Sequence, residues 1–186
     1  MKSFTFLSVA AVLVAGTTFQ VQAAGSDSAN IDFVGNITAS TCDVSIDGVS
    51  ASKEVQLLDV TVPVMQAAVT NPVMKTNFQI TVKNCATAPA GGKVKGQFST
   101  TGNFNSTTKA LLNTVAAGDK DAGFQVEETK TNTIIDFKSA TPQSEADYDA
   151  DNGAVFDYTV GYIYSGSGTP QVGQVKANTT FITTYP

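Results

Sequence analysis

The chain has 186 residues, 42% of them hydrophobic and 15% charged, with 11 Lys and Arg against 16 Asp and Glu for a net charge of −5. The acidic balance argues against nucleic acid as a partner, because binding a phosphate backbone needs a basic face that releases counterions. The sequence contains no His and no Trp, which removes the commonest general base, the serine and cysteine triads and nearly all catalytic zinc sites.

The opening residues predict a leader. Lys2 precedes an apolar stretch from Phe4 to Ala15, interrupted by Thr5 and Ser8, and Val21 and Ala23 are small residues where a signal peptidase reads, so cleavage is expected after Ala23. The apolar stretch is too short to cross roughly 30 Å of hydrocarbon. Residues 1–23 are therefore read as a signal peptide, leaving about 163 residues and a single domain. Loss of Lys2 leaves ten basic against sixteen acidic side chains, or −6. A charged share well below the usual ~25% means that Thr, Ser, Asn and Gln carry most of the surface.

After the leader, residues 24–30 (A-G-S-D-S-A-N) are polar and run without a turn signal into I-D-F-V-G-N-I-T-A-S. Ala29, Ile31, Phe33, Gly35, Ile37 and Ala39 fall on one side, with Val34 breaking the alternation. Periodicity leaves two readings open: an ordinary first strand, or an extended arm that needs a groove to bury its apolar edge.

Cys42 and Cys85 are the sole cysteines. In an oxidising compartment an even count predicts one disulfide with a single pairing, the other reading being two buried thiols. Two thiolates without His do not complete a tetrahedral metal site.

Alternation with period two dominates the remainder. Asn77 to Asn84 places Phe78, Ile80 and Val82 on one face. Weaker strands are predicted over 44–46, 54–58, 93–99, 123–127 and 133–137, whereas 63–69 and 109–116 read equally as helical turns or loops. From Ala154, A-V-F-D-Y-T-V-G-Y-I-Y puts Phe156, Tyr158, Val160, Tyr162 and Tyr164 on one face, and Gln174 to Pro186 alternates again. The Ser-Gly-rich stretch between them, 165–170, predicts that these two strands form a hairpin. Thr-rich alternation with short connections favours antiparallel sheets in a sandwich over a βαβ order.

Several chemistries are weighed and set aside. Glu145, Asp147, Asp149, Asp151 and Gly153 suggest a calcium loop, but the glycine comes one residue late and Tyr158 stands where the closing Glu belongs, so a solvated loop is expected. Carboxylate pairs suffice for glycoside hydrolysis, yet the acids cluster in predicted loops with no Trp to stack a sugar. No enzyme activity, cofactor or metal is expected. The triplets at Asn36, Asn105 and Asn178 fit a glycosylation pattern that chance supplies in a Thr-rich chain.

Taken together, I-D-F-V-G-N-I-T-A-S-T-C-D-V near the mature start, F-Q-I-T-V-K-N-C, Y-T-V-G-Y-I-Y and the ending A-N-T-T-F-I-T-T-Y-P resemble the major pilin family. These are type 1 fimbria-like subunits of Gram-negative bacteria assembled by the chaperone and usher route, and the likeness spans essentially the whole mature chain. The resemblance implies an all-β, incomplete immunoglobulin-like sandwich (40–186) that lacks its last strand, with 24–39 as a donor-strand extension carrying Ala29, Ile31, Phe33, Gly35 and Ile37. Phe181 and Tyr185 would wall the acceptor groove and meet the chaperone, and the terminal carboxylate of Pro186 would be held by it. Implied partners are a periplasmic chaperone, an outer-membrane usher and identical or related pilins, in a fimbria exported through the periplasm to the cell surface. Two departures stand out: relatives often end in a polar residue after Tyr, and Gly25 to Ser28 give the outermost donor positions little apolar grip. The alternative is a minor, adaptor or tip adhesin subunit binding a host glycan or protein receptor through loops such as 100–108. Family adhesins usually carry an extra receptor domain in place of the arm, which favours a shaft subunit.

Overall fold

The computed structural model describes residues 42–49 and 51–185. The expected leader, the arm residues Ala29, Ile31, Phe33, Gly35 and Ile37, and the terminal Pro186 lie outside the described residues.

Eleven residues of alternating character form β2 (Val73–Lys83) and eleven more form β9 (Ala154–Tyr164), and these two antiparallel strands are the spine of a larger sheet. Their inward residues meet across the ladder: Phe78 stands opposite Tyr158 and Ile80 opposite Phe156. Ile80, Val82, Phe156 and Tyr158 are all buried, and burying each such side chain favours folding by roughly 1.5 to 3 kcal/mol before ordering costs. The outward positions Asn77, Gln79, Asp157 and Thr159 are polar and bond across the strands, Gln79 Nε2 donating to Asp157 at 2.9 Å and Thr159 Oγ1 to Asn77 at 2.9 Å.

On one side of β2 lies the edge strand β1 (Asp43–Ile46). On the far side of β9 come β6 (Ala122–Glu128), β5 (Ala110–Leu112) and β4 (Phe104–Asn105), with β7 (Thr133–Ile134) also on β6. A second sheet has three strands in the order β10 (Thr180–Thr184), β3 (Lys93–Ser99), β8 (Ser144–Asp147). Val94 and Phe98 project from β3 between the sheets, where Phe98 makes edge contacts with Tyr158 at 4.9 Å and Phe137 at 5.8 Å between ring centres. One short helix, α1 (Val62–Ala67), has Pro63 in its first turn, where the missing N–H costs nothing.

The expected disulfide is present, joining Cys42 and Cys85 with 4.0 Å between Cα atoms. It covalently ties the start of β1 to the end of β2.

Several expectations are corrected. The hairpin of 154–164 with the C-terminal strand does not form: β9 already has β2 and β6 on its two edges, and β10 pairs with β3 in the other sheet. The physical reason lies in the rings, because Phe181 of β10 packs across the layers in edge contacts with the β9 stripe, 5.3 Å from Phe156 and 6.1 Å from Tyr158 between ring centres. The two segments are opposed layers, not neighbours in a ladder. Residues 54–58 join no ladder, although Val55 and Leu57 alternate inward as the pattern predicts. The strand expected over 133–137 ends at Ile134, while Ile135 and Phe137 are buried. Of the two undecided stretches, 63–69 overlaps α1 and 109–116 contains β5.

Candidate functional site: an apolar groove

The sandwich is open along one side. There, β1 is the edge of the larger sheet and β10 the edge of the smaller one, each paired on one flank among the described residues. Between them runs a groove of about 650 Å³. Its floor is apolar, built from Phe78, Ile80, Phe98, Leu111, Phe124, Val126 and Val160. One wall is the segment 51–57, whose Val55 and Leu57 turn inward, and the other is 177–181.

The groove continues into a second stretch of about 490 Å³, with Glu54, Val55, Leu57 and Phe124 lining both. Met65 of α1, Tyr162 and the segment 170–176 close this far part. Its lining is more mixed, with Asp59 and Lys176 at the margin.

Each wall is held by side chains. At the first, Asp47 sits in a left-handed turn conformation beside Gly48, with φ of 46° and 73°. The Asp47 carboxylate accepts from the Gln79 N–H at 2.7 Å and from Lys53 Nζ at 2.7 Å, so it links the wall to β2. The hydrogen bond from Lys53, aided by the Gln79 amide, holds the Asp47 carboxyl below its ordinary range against a smaller opposing effect of burial. At the second wall, Thr179 Oγ1 donates to the Ser99 carbonyl at 2.9 Å and Thr100 Oγ1 to the Asn178 carbonyl at 3.2 Å.

Of the residues singled out from the sequence, Phe181 lines the groove and packs on Phe98 at 5.0 Å between ring centres. Tyr185 is half-buried against the core cluster, its hydroxyl 3.0 Å from Thr183 Oγ1. Cys42 and Cys85 stand at the near end of β1 and β2 as the disulfide. Reasoning from sequence missed Phe124, Leu111 and the buried Asn113 as parts of the groove or its support. Phe124 follows Gly123 in an alternating run that pointed to it, whereas a lone Asn in L-L-N-T-V carries no such signal.

The acidic stretch of β8 and the turn that follows it is separate from the groove. Lys93 Nζ bridges Glu145 and Asp147 at 2.8 and 3.0 Å, raising its own pKa and lowering both carboxyls. The Asp149 carboxylate accepts from the backbone N–H groups of Asp151 and Asn152, at 3.0 and 2.8 Å, and so shapes a turn. No group of three or more metal-ligating side chains occurs among the described residues. No helix among the described residues is long and apolar enough to cross a membrane.

Comparison with known proteins agrees with this architecture. The P pilus rod subunit PapA superposes with a TM-score of 0.60 at 18% identity, covering 78% of this chain and 99% of that one. A subunit from a chaperone-usher pilus rod matches at a TM-score of 0.52 and 21% identity, over 88% of this chain and 99% of that one. The CupB6 tip adhesin from Pseudomonas aeruginosa matches at 0.50 and 20% identity, over 66% of this chain but 33% of that one. The comparison with curated protein sequences finds no match. The fold is the immunoglobulin-like sandwich of the chaperone-usher pilins. The model of the family described as fimbrial protein matches residues 31–186, and the chain belongs to that family.

Proposed function

We propose that this protein is a structural subunit of an adhesive fimbria, polymerising head to tail by donor-strand exchange. The groove carries this reading: an apolar trough that runs beside the flank of β10 left unpaired by β3 and continues into a second stretch lined by shared residues. Main-chain addition to such an edge satisfies its N–H and C=O groups and removes an aggregation-prone surface.

The occupant is the 24–39 segment of the next copy. Ile31, Phe33 and Ile37 each contribute roughly 1.5 to 3 kcal/mol on burial, before ordering costs, so insertion is strong without a covalent bond. Gly35, which has no side chain, permits close approach of the arm to the groove floor. Before exchange, a periplasmic chaperone fills the same groove against Phe181 and Tyr185 and holds the carboxylate of Pro186, then passes the subunit to an outer-membrane usher. The contact between subunits is heterologous and does not close, which gives a filament on the cell surface. The CupB6 likeness is confined to a third of that adhesin, so it adds no argument for a receptor-binding tip role.

The test is deletion of 24–37 with co-expression of a matching chaperone. The expected product is a soluble chaperone-bound subunit that does not polymerise. Filaments of ordinary length from the deleted chain overturn the reading.

A further inference from the structure

Between Ser165 and Thr179 the chain joins no ladder, yet it forms the wall of the groove's far part. Isolated hydrogen bonds, most of them with side chains, hold it instead. The Asp119 carboxylate accepts from the Gln171 N–H at 2.8 Å. Asn113 does more: its amide Nδ2 donates to the Gln174 carbonyl at 3.0 Å, and its Oδ1 accepts from the N–H groups of Lys176 and Val115, each at 3.0 Å. The next residue completes the set, since Thr114 N–H and Oγ1 both donate to the Lys176 carbonyl, at 2.8 and 3.0 Å.

Asn113 is fully buried, and a buried amide with both ends satisfied fixes its partners firmly, because releasing any one leaves an unpaired polar group. Room for it is kept by Gly118, where a β-carbon would stand 2.3 Å from Asn113 Nδ2. In an extended segment, alternate residues turn their N–H and C=O to opposite edges. Residues 174 and 176 are bound to Asn113 and Thr114, so an extended course leaves the main-chain groups of Val175 and Ala177, which line the groove, for the opposite edge. Asn113 thus takes the place of a neighbouring strand on the outer side of this wall.

We infer that Asn113 is a positioning residue that sets the wall at 174–176 and thereby governs how tightly the far part of the groove closes on an inserted strand. The inference rests on the strand-acceptor reading above.

The test uses the full mature chain refolded with a fluorescent synthetic peptide of residues 24–39, and with two peptides shortened by four residues at one end or the other. Dissociation is followed on adding excess unlabelled peptide. Asn113→Ala should speed release of the 24–39 peptide about 10-fold, and Thr114→Val about 3-fold, as expected for losing several hydrogen bonds or one. Thr114 is exposed, so the second variant keeps its fold. One shortened peptide, the one that no longer reaches 174–176, should leave Asn113→Ala and wild type at equal rates, while the other keeps the difference. Equal release of the 24–39 peptide from all three chains overturns the inference, as does the same acceleration for every peptide, which marks general loosening. A wild-type chain that does not retain the 24–39 peptide overturns the acceptor reading itself.

Discussion

The ring of Phe181 lies directly over Gly96: a β-carbon at Gly96 would stand 2.5 Å from Cζ and 2.8 Å from Cε2 of that ring. Gly96 is in the middle of the smaller sheet, paired with Thr183 on one side and Ser144 on the other. A missing side chain here lets the groove-lining ring sink toward Phe156. Gly96→Ala should therefore push Phe181 into the groove and destabilise the subunit by about 1 to 3 kcal/mol, the usual penalty of overpacking. A urea midpoint unchanged from wild type would show that the ring is free to move aside.

Replacing both Cys42 and Cys85 by Ser should lower stability by about 2 to 4 kcal/mol, since the bridge closes a loop with a sequence separation of 43. Denaturation curves under non-reducing conditions measure this directly. Indistinguishable curves for the double variant and wild type would mean that the ladder of β1 with β2 suffices alone.

Asp47 predicts an acid-sensitive wall. Its carboxyl is depressed by the hydrogen bond from Lys53 and by the Gln79 N–H. A group whose folded pKa is lowered stabilises the fold above its unfolded value, about 3.9 for Asp, and that contribution fades as pH falls through the lower folded value. Asp47→Asn keeps a residue tolerant of the left-handed turn but has no such titration. Wild type and variant should differ by a constant amount above pH 5 and converge as the pH is taken below 4. Curves that stay parallel down to the acid end would contradict the role given to the Lys53 contact.

Val172 is 91% exposed at the lip of the far groove. Val172→Ser should leave the stability within about 0.5 kcal/mol of wild type, as for other surface changes, while reducing aggregation of the isolated, refolded chain. Light scattering after dilution from denaturant reads the difference, and identical aggregation would remove Val172 from the sticky surface.

Strand content was readable wherever one face is buried and the other wet. β3 falls on the predicted 93–99, and the β9 stripe from Phe156 to Val160 is buried as its alternation implies. Pairing was not readable in the same way, because alternation states which face is inside and not which strand stands alongside. That is why 154–164 and the C-terminal strand looked like a hairpin although Phe181 and Phe156 face each other across layers. Segments 54–58 and 174–179 show the other limit. Both alternate like strands but join no ladder, and a segment outside a ladder leaves the same pattern in a sequence as one inside it. Asn113 had no signature at all, since its value comes from contacts with residues some sixty positions away.

The bridge between Cys42 and Cys85 places the first described residue of the domain in covalent contact with the end of β2, a spine strand. Tension entering the chain from its N-terminal side therefore reaches β2 through sulfur before it can peel β1 away. In the filament proposed above, such a shunt would share a shear load across the β2 and β9 pair and spare the four-residue edge strand.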